Sequence, residues 1–279
     1  DRHLDPLRVV LYDDPRQPQS GPTYWLQTSP EFAMKRLVAA HGLSIFQITH
    51  AFRAGERGRW HNPEFTMLEW YDVGADYLAG MKVLDDLSEN VVQRGSAEYV
   101  TYRDAFRQYT DHDPWTASVD EFASLAAQRK ISVPSSFADA DRDAWLELLF
   151  GEFVEPYLGR TRPTIVYDYP ASQAALARVR EGDFPVAERF ELYVDGMELA
   201  NGYHELLDAE ALLRRAERNN ELRAREGKER LPIHSRLVEA MQSGLPACAG
   251  VALGVDRLVM IVSGARSMDE VLPFPIERA

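Results

Sequence analysis

Residues 52–71, FRAGERGRWHNPEFTMLEWY, set an arginine-rich, glycine-containing turn between two segments that read as paired strands, and the rest of the chain must accommodate that hairpin. The first arm, residues 45–52, is β-branched and aromatic, and the second, residues 65–73, alternates with period two. The alternation predicts Phe65, Met67, Glu69 and Tyr71 on one face and Thr66, Leu68, Trp70 and Asp72 on the other, so an aromatic ring, a carboxylate and a phenol point the same way. The loop adds Arg53, Arg57, Arg59, His61 and Asn62, with Gly55 and Gly58 letting the backbone approach a ligand. A guanidinium makes two charge-assisted hydrogen bonds to one phosphate, which suits such a loop to a nucleotide. A solvated, charged hairpin tip has the same composition, and both readings stand at this point.

The chain has 279 residues, 45% hydrophobic and 27% charged, enough for one large core or two modest ones. No run approaches the roughly 18 to 20 apolar residues of a membrane span and no secretory leader opens the sequence, so a soluble cytoplasmic protein with no membrane partner is the expectation. A lone cysteine, Cys248, excludes an internal disulfide framework and a multi-cysteine zinc site. The net charge of −13 argues against broad, nonspecific nucleic-acid binding, which depends on counterion release along a basic surface.

From the start, residues 7–12 read as a strand among prolines. In TSPEFAMKRLVAA, Thr28 or Ser29 can cap a helix with Pro30 and Glu31 in its first turn; capping explains Ser29 and Glu31 as well as ligand contact does. Residues 77–93 carry an apolar stripe at Leu78, Met81, Leu84, Leu87 and Val91. Helices are predicted at about 102–109, 119–128 and 141–153, separated by Pro114, Pro134 and Pro156, with Trp115, Trp145, Leu146, Leu148 and Leu149 as core. Residues 164–169 read as a strand.

In RFELYVDGMELANGYHE, Asp195-Gly196 signals a two-residue type I′ hairpin. Its register would oppose Val194 to Met197, Tyr193 to Glu198, Leu192 to Leu199 and Glu191 to Ala200, so Glu191 and Glu198 become diagonal neighbours. Two like charges on a half-buried face call for a cation between them, and Mg²⁺ shared with substrate phosphates is the natural occupant; exposed acids on a surface hairpin are the alternative. Asn201 and Glu205 extend the polar set. Residues 204–226 read as a charged helix whose Arg214, Arg215, Arg218, Arg223 and Arg225 form a solvated face, and GVALGVDRLVMIVSG puts Arg257 at a helix start, where amides and dipole favour anions.

Together these blocks resemble the catalytic domain of class II aminoacyl-tRNA synthetases of the lysyl type, with FRAGERGR at the family's second signature and GVALGVDR at its third. TSPEFAMKRL, GRWHNPEFTMLEWY, ELANGYHEL and GVALGVDRLVM are most similar to the truncated lysyl-tRNA synthetase paralogues that act as elongation factor P–(R)-β-lysine ligases. The resemblance runs over nearly the whole chain. It implies an α+β fold with an antiparallel six-stranded sheet flanked by helices, over residues 1–279 as one catalytic domain with a helical insertion at about 102–158. It also implies a homodimer, no anticodon-binding domain, no tRNA substrate, and ligation of (R)-β-lysine to a lysine of elongation factor P through an adenylate. The family's first signature is expected to be absent.

Carried over by position, Arg53 and Arg257 would be the catalytic cations, Arg53 on the α-phosphate and Arg257 on the far phosphates of ATP. Asn62 and Phe65 would hold and stack the adenine, with Glu198, Leu199 and Gly254 completing the ATP site. Glu191 and Glu198 would hold Mg²⁺. Ser29, Glu31, Tyr71, Asn201 and Glu205 would surround the amino acid, with Ala252 in the floor of its pocket. Gly55 departs from the pattern, since the second signature has glutamate there and this chain has Glu56 next. Lysyl-tRNA synthetase-like activation and an inactive nucleotide-binding paralogue are the alternative readings.

Overall fold

The computed structural model describes residues 4–133, 137 and 141–279, so Pro134, expected to separate two helices, lies outside the described residues. In chain order the elements are β1 (Arg8–Val10), β2 (Thr23–Trp25), α1 (Glu31–His41), β3 (Ile45–Phe52), β4 (Glu64–Val73), α2 (Tyr77–Val92), β5 (Glu98–Thr101), α3 (Tyr102–Thr110), α4 (Val119–Gln128), α5 (Arg142–Phe153), β6 (Thr164–Pro170), β7 (Val179–Arg180), β8 (Val186–Val194), β9 (Met197–His204), α6 (Ala209–Arg225), α7 (Arg236–Gly244), β10 (Cys248–Gly254) and α8 (Val255–Ser263). They fall into two compact units, one of Asp1–Gly74 with Leu206–Ala279, the other of Ala75–Glu205. No helix among the described residues is long and apolar enough to cross a membrane.

In the first unit β4 is the central strand, antiparallel to β3 on one side and β10 on the other. The predicted alternation holds: Met67, Glu69 and Tyr71 are buried and their neighbours are only partly so. Helix α1 packs on β4 and α7, α6 packs on α7, and α8 packs on β4. Asp256 in the first turn of α8 accepts a hydrogen bond from Thr66 N at 2.6 Å, which fixes that helix to β4. Pro30, not Thr28 or Ser29, occupies the N-cap of α1, because the helix begins at Glu31; Ser29 still accepts the Glu31 N–H at 3.0 Å from one position further out.

The last long helix begins at Ala209 rather than near His204, since residues up to His204 stay in β9 and Asp208 caps the helix through Glu210 N and Ala211 N. Arg223 does not belong to a solvated face. It is 4% exposed, pairs with Asp5 at 2.8 Å and donates to the Glu229 carbonyl, using a guanidinium to tie three chain segments.

In the second unit β9, β8 and β6 pair antiparallel, β7 adds to β8, and β5 runs parallel to β6. Helices α3, α4 and α5 follow the predicted segments closely, each started by a side-chain cap: Thr101, a Ser118–Glu121 capping box, and Asp141. Their apolar faces form a core with β6 and β8 that includes Phe106, Phe122, Trp145, Leu146, Leu149 and Phe150. Along α2 the buried side is Tyr77, Met81, Leu84 and Ser88, while Leu78 is 66% exposed. The aromatic ring of Tyr77 takes the core position beside Phe190 and displaces the stripe expected from Leu78.

The β8–β9 hairpin turns at Asp195 (φ 54°) and Gly196 (φ 77°), the two positive φ values a type I′ turn demands. Its register departs from the regular one after two pairs. Val194 opposes Met197 and Tyr193 opposes Glu198, but Leu192 opposes Ala200 and Glu191 opposes Asn201, with Leu199 as the extra residue of a bulge.

Candidate active site

The chemistry predicted from sequence is divided between the two units, and each part has its own geometry. In the first unit the loop between β3 and β4 is held open by backbone that favours glycine. Gly55 has φ 78° and Gly58 φ 151°, and a Cβ at either would meet nothing. A glutamate at position 55 would therefore be opposed by backbone strain, not by crowding. Arg53 lies with its guanidinium 4.9 Å from the Phe65 ring centre and donates to the Thr28 carbonyl at 3.2 Å, while Glu56 stands 3.6 Å away. The phosphate candidate and the adenine-stacking candidate thus share one surface.

Arg257, in the first turn of α8 after the N-cap Gly254, reaches back to the same loop. Its guanidinium donates to His61 Nε2 at 2.7 Å and to the Trp60 carbonyl at 3.4 Å. Burial first, then the neighbouring Arg257 charge, hold His61 below its ordinary pKa, so its imidazole stays neutral and accepts this bond. Arg57 pairs with Glu277 at 2.5 Å and Arg59 donates to the Arg266 carbonyl, so these two loop arginines are turned to the C-terminal segment. Asn62 is 7% exposed and uses both ends of its amide on backbone, donating to the Glu64 carbonyl and accepting from Ile276 N. In this structure it braces the loop.

A second cluster in this unit lies where α1 meets β4. Glu69, 1% exposed, accepts from Ser29 Oγ at 2.5 Å on one oxygen and from the Tyr71 hydroxyl at 3.1 Å on the other. Glu31 begins α1 and pairs with Lys35, one turn along, whose ammonium is 5.7 Å from the Tyr71 ring centre. Ala252 is the residue directly opposite Glu69 on β10. Ser29, Glu31, Tyr71 and Ala252, expected as amino-acid contacts, lie around one buried carboxylate. Burial, then the charge of Glu31, push the Glu69 carboxyl up to about 7, against the pull of the two hydroxyls and of Lys35. Glu69 was read only as a face partner of Phe65 and Tyr71, and Lys35 was missed. Its one signal in sequence is the acid-then-base spacing of Glu31 and Lys35 on a helix, common on solvated faces.

In the second unit the bulge at Leu199 decides which side chains meet. Past it, Asn201 comes opposite Glu191, so Glu191, Tyr193, Glu198 and Asn201 share one face; in the unbulged register Asn201 would point to the other. Glu191 is 4% exposed, accepts from the Tyr169 and Tyr193 hydroxyls, each at 2.5 Å, and pairs with Arg189. Burial, then the Glu191 charge, hold both tyrosines well above their ordinary pKa, so they remain donors. The cation expected between the acids is thus in part the chain's own Arg189. Leu199, 2% exposed, is core, Glu198 is half-buried, and Glu205, 1% exposed, lies beyond β9 bridged to Ala177.

Among the described residues, no group of three or more histidines, cysteines, aspartates and glutamates is gathered to hold a metal. Two carboxylates on one face remain a donor set that suits Mg²⁺, which takes one or two protein carboxylates and completes its shell with water and nucleotide phosphates. The family model for class II tRNA synthetases (D, K and N) matches residues 11–278, nearly the whole chain. Antiparallel strands flanked by helices, the arginine loop before β4 and an arginine opening the helix after β10 agree with that match, and the chain belongs to the class II tRNA synthetase family of the D, K and N type.

Proposed function

We propose that this protein activates a diamino acid, (R)-β-lysine, as its adenylate and transfers it to a lysine side chain of elongation factor P. The observation that carries the reading is the Glu69 pocket. A buried carboxylate that accepts from the Ser29 and Tyr71 hydroxyls, and which is pushed to about 7, gains from an arriving ammonium group. The second unit carries Asn201 and Glu205, the further amide and acidic groups expected to contact the amino acid. The resemblance of four sequence blocks supports the β-lysine ligases over other members of the family.

In the activation step a carboxylate oxygen of the amino acid attacks the α-phosphorus of ATP and pyrophosphate leaves. Arg53 and Arg257 neutralise the charge on the phosphates, and no protein nucleophile is needed, since catalysis is positioning and electrostatic stabilisation. Glu191 and Glu198 would be the residues to hold Mg²⁺, which when bound would supply further neutralisation of phosphate charge. In the second step the neutral amine of the acceptor lysine attacks the activated carbonyl, AMP leaves, and the amine loses a proton as the amide forms.

The test is amino-acid-dependent ATP–pyrophosphate exchange with L-α-lysine and both enantiomers of β-lysine, followed by transfer to elongation factor P. Exchange fastest with (R)-β-lysine, with label then found on the acceptor, is the expected outcome. Exchange with α-lysine alone returns the chain to lysyl-tRNA synthetase-like activation. Nucleotide binding without exchange favours an inactive paralogue, the reading to which Gly55 lends weight.

A further inference from the structure

Lysine at a core position of a helix needs an explanation. On α1 the buried residues are Met34, Lys35 and Val38, and the Lys35 side chain is 3% exposed against 18% for its partner Glu31. Burying a pair of this kind seldom stabilises a fold more than well-packed apolar side chains would, so packing alone does not account for it. Its surroundings do. Glu31 is close enough for its charge to oppose ionisation of Glu69, and Lys35 acts on Glu69 in the opposite sense. The strand partners of Glu69 and Tyr71 carry no charge. The residues opposite Glu69 are Gln47 and Ala252, those opposite Tyr71 are Ile45 and Gly250, and α7, packed against α1, leaves its charged Arg236 and Glu239 exposed.

A buried carboxylate beside a second negative charge holds its proton unless a cation offsets both. We propose that Lys35 is a positioning residue of this pocket: its ammonium, paired with Glu31 beside the buried Glu69, favours the ionised form of Glu69, so that Glu69 can accept the ammonium group of an incoming diamino acid. The inference rests on the diamino-acid reading above and adds to it a residue that touches no substrate. Lys35 thereby couples the fold of α1 to affinity for the amino acid.

The experiment measures (R)-β-lysine binding to the intact chain by calorimetry at pH 7 and pH 8.5, in wild type and in Lys35→Met. Removing the ammonium raises the proton affinity of Glu69. A tenfold rise cuts its ionised fraction at pH 7 from about one half to about one tenth, a loss of roughly fivefold in affinity that is largely recovered at pH 8.5. A loss of equal size at both pH values, or affinity within twofold of wild type at pH 7, overturns the proposal and leaves Lys35 as packing. If wild type binds no (R)-β-lysine at either pH, the diamino-acid reading fails, and the role of Lys35 is then decided by the carboxyl itself. The ¹³C side-chain carboxyl resonance of Glu69, assigned with Glu69→Gln, must titrate at higher pH in Lys35→Met and at lower pH in Glu31→Gln; a midpoint unmoved by either overturns the proposal. Should Lys35→Met fail to fold, Lys35→Gln removes the same charge with a polar side chain and is read in the same way.

Discussion

Replacing Glu69 by glutamine tests the buried carboxylate through stability, independently of any reaction. Its carboxyl lies at about 7 in the folded protein against an ordinary value of 4.5, so the folded state binds this proton more tightly than the unfolded chain does. The sign follows: the stabilising contribution is complete below about 4.5 and is lost as pH rises through 7. Between pH 5 and pH 8 the wild type should lose about 2.5 kcal/mol from this group alone, since each tenfold difference in proton affinity is worth about 1.4 kcal/mol. Glutamine carries no charge at either pH and escapes that loss, although its amide turns an N–H toward hydroxyls that donated to an oxygen, at a cost of about 1 kcal/mol at both pH values. Glu69→Gln should therefore be slightly less stable than wild type at pH 5 and more stable by about 2 kcal/mol at pH 8, read from urea unfolding at each pH. A stability difference between the two proteins that is the same at pH 5 and pH 8 would refute the reasoning, because it would mean that Glu69 has the same proton affinity folded and unfolded.

Arg257→Ala should abolish pyrophosphate exchange while the urea midpoint stays near wild type, because the hydrogen bonds the side chain makes to Trp60 and His61 lie in a loop and not in the core; exchange retained in a folded variant removes Arg257 from the phosphate site. Glu198→Gln should weaken Mg²⁺-dependent ATP binding more than it weakens the fold, and an Mg²⁺ titration of nucleotide binding that matches wild type would return the β8–β9 hairpin to a purely structural role. Ala252→Gly removes one methyl directly opposite Glu69 and should shift preference toward L-α-lysine by roughly 1 to 3 kcal/mol, about 10- to 200-fold in the ratio of exchange efficiencies. A ratio constant within twofold means that Ala252 does not set the choice.

What the sequence determined by itself is whatever depends on near neighbours along the chain. The β3–β4 hairpin and its buried face at Met67, Glu69 and Tyr71 follow from period-two alternation, and the Asp195-Gly196 turn follows from the two positive φ values it requires. The helices α3 to α5 follow from caps and apolar spacing, and the arginine at the start of α8 from its place after a strand. The bulge at Leu199 was not legible, because a turn sets register only for its first pairs and side-chain packing decides whether to insert a residue beyond them. That one residue puts Asn201 beside Glu191. Burial of Lys35 and Arg223 was equally hidden, since their spacing is that of a solvated helix face and only α1 against β4, or α6 beside Asp5, removes the water. The same holds for the proton on Glu69. Sequence placed its carboxylate on the right face, but its affinity for a proton depends on dielectric and on Glu31 and Lys35, charges that come within range only when α1 folds onto β4.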